Sequence, residues 1–194
     1  MLFRSPVTID ALPQVPAAQQ GAASLADLDW LANQIKQAQL PVLLVGARGS
    51  DDQTVAALHS LLGDTPLPVV ETFQGAGVIS HDLEPTTFFG RIGLFRNQTG
   101  DKLLKQSDLV ITVGYDAIEY EPRNWNKEND LNIVALDTTP VQIDNNFVPK
   151  RQLVGNIAQS LDLLAERIKG YVLPEASQSQ LKALKKDLND TDEP

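Results

Sequence analysis

The feature that most constrains this chain is the run Pro41-Val42-Leu43-Leu44-Val45-Gly46. It holds no polar side chain and closes on glycine, so it does not alternate as a half-exposed strand would. A run like this suits a parallel strand buried on both faces. The pattern returns in Leu67-Pro68-Val69-Val70, in Leu109-Val110-Ile111-Thr112-Val113-Gly114 and in Ile133-Val134-Ala135-Leu136-Asp137, with Leu153-Val154-Gly155 as a short last member.

Segments with helical spacing lie between these runs. Ser24 can cap a helix, Asp27 follows in capping-box position, and Leu25, Leu28, Ala32, Ile35 and Ala38 form one apolar face. Residues 54–62 place Val55, Leu58, Leu61 and Leu62 on another face, residues 100–106 read as a third helix, and residues 157–168 as an amphipathic fourth. Buried strands alternating with helices define an α/β fold: a Rossmann-like parallel sheet with helices on both faces and right-handed crossovers.

A length of 194 residues supplies one domain's core with some chain to spare. Pro6, Pro13 and Pro16 disfavour helix in the first segment. Residues 1–23 are therefore expected to form an interdomain linker arm, residues 24–170 the α/β domain, and residues 171–194 a C-terminal linker or tail, helix-prone over 178–188.

The absence of cysteine excludes disulfide frameworks, thiolate zinc sites and iron–sulfur clusters, and suits a reducing cytoplasm. A net charge of −9 with scattered basic residues sets nucleic acid aside. No apolar run approaches the roughly 20 residues of a membrane span, and the first residues do not have the pattern of a signal peptide.

Three turns lie where an open parallel sheet gathers ligands, beyond the carboxyl ends of its strands. Gly46-Ala47-Arg48-Gly49 occupies the position of a phosphate loop but lacks the G-x-G-x-x-G spacing, and Asp51 and Asp52 would repel a phosphate. A tight turn leading into a helix with an acidic start is the favoured reading there. Gln74-Gly75-Ala76-Gly77 is equally readable as a ligand-facing loop or as an ordinary turn whose glycines permit positive φ. In Gly114-Tyr115-Asp116-Ala117-Ile118-Glu119, the two carboxylates invite an acid–base reading that lacks a nucleophile or metal partner. His59 and His81 read as structural. The stretch 90–101 is the most unusual: Arg91 and Arg96 sit in a glycine-rich loop where either could reach an anion.

Several of these strings together resemble the thiamine-diphosphate-dependent acetolactate synthases of the catabolic type. The resemblance runs through Leu40-Pro41-Val42-Leu43-Leu44-Val45-Gly46, Val70-Glu71-Thr72-Phe73-Gln74-Gly75-Ala76-Gly77 and Phe89-Gly90-Arg91-Ile92-Gly93-Leu94-Phe95-Arg96-Asn97-Gln98. It continues through Val113-Gly114-Tyr115-Asp116-Ala117-Ile118-Glu119-Tyr120 and Leu136-Asp137, and covers residues 25 to 168. The first string is common to many parallel sheets. The third, followed by Val113-Gly114-Tyr115-Asp116, is specific.

The resemblance implies a three-domain subunit of which this chain is the central domain. It implies thiamine diphosphate and Mg2+, bound by the two missing catalytic domains, and condensation of two pyruvates into 2-acetolactate and CO2 for acetoin and butanediol formation. A cytoplasmic homotetramer is expected of the complete enzyme, and no activity of this chain alone. Gln74, Phe95 and Arg96 become candidates to border the substrate channel. Related biosynthetic enzymes bind FAD through a Met-His-Gly loop and an arginine after the strand glycine. Here those places hold Leu94-Phe95-Arg96 and Tyr115-Asp116, so no FAD is expected. The alternatives are a free-standing nucleotide-binding module for NAD or FAD, for which neither glycine turn has the spacing, and a purely architectural domain.

Overall fold

The computed structural model describes residues 20–95 and 97–190. Helix α1 (Leu25–Gln37) leads into β1 (Pro41–Val45), a short 3-10 turn (Ala47–Gly49) and α2 (Asp52–Asp64). Then follow β2 (Val69–Thr72), α3 (Glu84–Thr87), β3 (Phe88–Ile92), α4 (Thr99–Gln106) and β4 (Leu109–Val113). A second 3-10 turn (Pro122–Asn124), β5 (Ile133–Asp137), β6 (Arg151–Val154), α5 (Ile157–Ile168) and α6 (Glu175–Asp190) complete the order.

All six strands run parallel in the order β3-β2-β1-β4-β5-β6. This is the order of a doubly wound dinucleotide-binding sheet, whose winding reverses between β1 and β4. Alternation along β1 shows why the run is apolar throughout. Leu43 and Val45 enter a core completed by α1, α2 and α5, while Val42 and Leu44 enter a second one with Leu103 and Leu104 of α4 and Leu181 and Leu184 of α6. Each fully buried leucine contributes on the order of 2 kcal/mol through burial.

Helix starts follow local chemistry. The Ser24 hydroxyl accepts from the Asp27 amide at 3.1 Å. Asp51 caps α2 by accepting from the Gln53 and Thr54 amides, each at 3.1 Å. The acidic residues after Gly46-Ala47-Arg48-Gly49 thus begin a helix, as the tight-turn reading requires.

Three strands sit differently from their sequence patterns. The second begins at Val69, where pairing with Leu43 starts, because Pro68 has no amide to give the ladder. The last starts at Arg151, with half-exposed polar residues that suit a sheet edge. The opposite edge, β3, runs into the start of the stretch 90–101 that was expected to be a loop. Gly90 takes φ 93° there and the register with β2 shifts between Val69 and Glu71. A bulged edge strand of this kind shows no continuous apolar run.

Beyond residue 171, α6 packs against β3 and α4. Lys185 Nζ donates to the carbonyls of Glu84 at 2.8 Å and Phe88 at 2.7 Å, tying the helix to the start of β3. The expected arm lies mostly outside the described residues. Among the described residues, no helix is long and apolar enough to cross a membrane.

Candidate functional site

The carboxyl edge of the sheet is where the turns singled out in the sequence converge. At its centre, between β1 and β4, the chain fills its own crevice. Both carboxylate oxygens of Glu119 lie 3.0 Å from the Ala47 amide. The same carboxylate accepts from the Asp116 amide at 2.9 Å and from the Thr72 hydroxyl at 2.5 Å. One side chain thereby joins the loops after β1, β2 and β4. The approach is close: a Cβ on Gly46 would meet Glu119 Oε1 at 2.8 Å, and one on Gly114 would meet the Gly49 nitrogen at 2.3 Å.

Arg48 lies across the next gap. Its Nη2 pairs with buried Asp137 at 2.7 Å and its Nη1 with Asp116 at 2.5 Å. The hydrogen bond to Asp137 raises the guanidinium pKa, against the opposing effect of burial, and Asp116 adds to it. The Asp116 carboxyl is held below its ordinary value, first by the Ile118 amide and then by Arg48, with desolvation opposing. Asp116 and Glu119 are thus acceptors for fixed donors, an arrangement that leaves no free acid–base pair. Beside them is a cavity of about 170 Å³ lined by Arg48, Tyr115, Asp116, Ile118, Val141 and Phe147. Tyr115 sits edge-on to Trp125 and Phe147, and burial pushes its phenol above the ordinary range.

The β2 loop is held from below. Thr72 Oγ1 accepts from the Gly75 amide at 3.0 Å, and buried Glu71 accepts from Gly77 and Ile79, each at 3.1 Å. His59 Nε2 contacts the Val78 carbonyl at 2.8 Å, which makes that nitrogen the donor and gives His59 a structural role. His81 is exposed, 3.4 Å from Glu84.

Gln74 is exposed on this loop, and Phe95 is exposed on the loop after β3, at the same edge of the sheet. Phe73, Leu94 and Ile118 are exposed beside the ends of β2, β3 and β4, giving the edge an apolar rim. Arg96 lies outside the described residues. Arg91, read as a possible anion ligand, points to Glu71 instead, with Nε 3.2 Å from its Oε2. Glu119, read as half of an acid–base pair, serves instead as an acceptor, and Arg48, Glu71, Thr72 and Asp137 carry the rest of the edge's geometry without having been singled out for it. Their only sequence signal is position, at or just beyond a strand's end.

A roomier apolar groove of about 530 Å³ lies at the opposite edge, lined by residues such as Pro66, Phe89, Tyr171, Leu181 and Lys185. Open parallel sheets bind at their carboxyl edge, so position favours the rim over the groove.

The fold and this edge define a nucleotide-binding-like α/β domain whose switch point is closed by its own side chains. The sequence profile of the thiamine pyrophosphate enzyme central domain matches residues 28–164, and the chain belongs to that family. It is 40% identical over 176 residues to an acetolactate synthase of Bacillus subtilis (strain 168), covering 91% of this chain and 31% of that protein. It is also 40% identical over 163 residues to a catabolic acetolactate synthase of Raoultella terrigena, covering 84% of this chain and 29% of that protein. A glyoxylate carboligase of Escherichia coli O157:H7 is 28% identical over 147 residues, 75% of this chain and 24% of that protein. The chain thus spans about a third of the length of the curated relatives it matches.

Proposed function

We propose that this chain serves as the central domain of a thiamine-diphosphate-dependent acetolactate synthase, which joins two pyruvates into 2-acetolactate with loss of CO2. The observation that carries this reading is the 40% identity, across most of the chain, to two acetolactate synthases, one of them catabolic. The reading of a free-standing nucleotide-binding module is not favoured beside it.

The described residues do not fit the cofactor's diphosphate and Mg2+. Among the described residues, no group of three or more His, Cys, Asp or Glu side chains is placed to hold a metal ion. The amide that would meet a phosphate meets Glu119. Thiamine diphosphate, the electron sink of the reaction, and Mg2+ are assigned to other domains of a complete subunit. Alone, this chain is inactive. It binds no FAD, since Asp116, Asp137 and Glu119 already take the cationic and amide donors of the crevice.

Gln74, Phe95 and Arg96 border the substrate channel in this proposal, supported by the exposure of Gln74 and Phe95 at the carboxyl edge. The complete enzyme, by family analogy, is a cytoplasmic homotetramer.

The test compares this chain with a complete subunit, each given pyruvate, thiamine diphosphate and Mg2+. Acetolactate is expected from the complete subunit only. Product from the chain alone refutes its inactivity, and none from the complete subunit refutes the reaction. Unchanged pyruvate kinetics in Gln74→Ala and Arg96→Ala subunits would remove the channel assignment, and a heat-stability gain with FAD would remove the flavin exclusion.

A further inference from the structure

Glu71 is a buried carboxylate on β2, 1% exposed, in a sheet whose other strands are filled mainly by apolar side chains. Val69, two residues earlier, fills the α2-side core on this strand. A valine at 71 would satisfy the same packing without the cost of burying a charge. What Glu71 does that valine could not is accept hydrogen bonds. Its Oε2 takes the Gly77 amide and its Oε1 the Ile79 amide, both at 3.1 Å, while Arg91 Nε lies 3.2 Å away and balances the charge.

The segment so held begins with exposed Phe73 and Gln74 and closes at Val78, which is buried in the core. Gly75 leaves no room for a side chain, since a Cβ there would lie 2.6 Å from the Val45 carbonyl. Thr72 pins one end of the loop and Glu71 the other. Two fixed ends separated by so few residues leave the backbone at Gln74 little freedom.

We infer that Glu71 is a positioning residue: by gripping the Gly77 and Ile79 amides it fixes the loop that presents Gln74 at the carboxyl edge. This rests on the reading of Gln74 as a substrate-channel residue. Arg91 is the counter-charge of that grip.

The test has two arms. In this chain, amide hydrogen exchange is measured at Gly77 and Ile79 for the wild type, Glu71→Gln and Glu71→Asp. Protection is expected at both amides in the wild type, loss at one of them in Glu71→Gln, which keeps a single acceptor oxygen, and loss at both in Glu71→Asp, whose shorter carboxylate falls short, with far-UV circular dichroism unchanged. Protection retained at both amides in the variants overturns the inference, as does failure of both variants to fold, which would make Glu71 a purely structural residue. In the complete subunit, Glu71→Gln is expected to lower kcat/KM for pyruvate by about tenfold, and to add nothing in a Gln74→Ala background. Independent, multiplying effects of the two substitutions overturn the coupling to Gln74. An inactive wild-type subunit overturns the acetolactate reading and that coupling together, and the exchange arm still decides whether Glu71 holds the loop.

Discussion

The Ala47 amide lies 3.0 Å from both carboxylate oxygens of Glu119, so a side chain from the loop after β4 closes the turn after β1. β1 and β4 are the strands between which the sheet reverses its winding. At that point many related sheets hold a phosphate on backbone amides. Here an internal carboxylate takes that position and also receives the Thr72 hydroxyl, fastening three loops at once.

Glu119→Ala should therefore destabilise the chain by about 2–3 kcal/mol, because two amides and a hydroxyl lose a charged acceptor together. Glu119→Gln keeps the shape and one oxygen and should lose less. Urea unfolding measures both. Two variants within experimental error of the wild type would show that the three loops hold without this carboxylate.

Asp116 links stability to acid. Its folded carboxyl titrates below the ordinary value of 3.8, held first by the Ile118 amide and then by Arg48. A depressed folded pKa stabilises the protein above the unfolded value, and that contribution is lost as pH falls through the folded one. Melting temperatures of the wild type and Asp116→Asn should differ by a constant amount above about pH 5 and converge below 3.8. A gap that persists undiminished into acid would contradict this. The effect is small, because the pair is partly exposed and screened by solvent.

Two glycines make opposite predictions. Gly114 has φ 59°, and a Cβ there would lie 2.3 Å from the Gly49 nitrogen. Gly114→Ala should cost more than about 3 kcal/mol, since both the backbone angle and the contact forbid the methyl group. Gly63 lies in the last turn of α2, and apart from its chain neighbours and its own helix backbone no atom lies within 4 Å of such a position. Gly63→Ala should stabilise by about 0.5–1 kcal/mol through helix propensity. Thermal unfolding of the two variants side by side is the check, and equal effects would defeat it.

Leu184 of α6 is 8% exposed in the second core. Leu184→Ala should cost about 2–3 kcal/mol, as for other buried leucines, while Lys182→Ala on the exposed face should change stability little. A neutral Leu184→Ala, read by chemical denaturation, would mean that residues 171–194 behave as a tail in solution.

Much of the fold was legible because it is written locally. β4 and α5 have the bounds their patterns predict, and Ser24 caps α1 with Asp27 three residues on. β3 was not legible. Its Phe88-Phe89-Gly90-Arg91-Ile92 carries a positive-φ glycine and a charged residue, and it pairs on one side only. The carboxyl edge was readable as a place, through the glycines that end β1 and β4, and Gln74 and Phe95 do lie exposed there. How that edge is built was not readable. Arg91 looked free to bind an anion and is spent on Glu71, and Asp116 looked like half of an acid–base pair and is bound to Arg48.

By itself the sequence determined that this chain is a parallel α/β domain, because apolar runs closed by glycine or aspartate and helices with their own caps are properties of neighbouring residues. Only the tertiary structure decided that the switch point is closed from within. Glu119 and Ala47 are 72 residues apart and Arg48 and Asp137 are 89 apart. Which carboxylate meets which donor across such distances is set when the strands take their order in the sheet, and no local pattern encodes that choice.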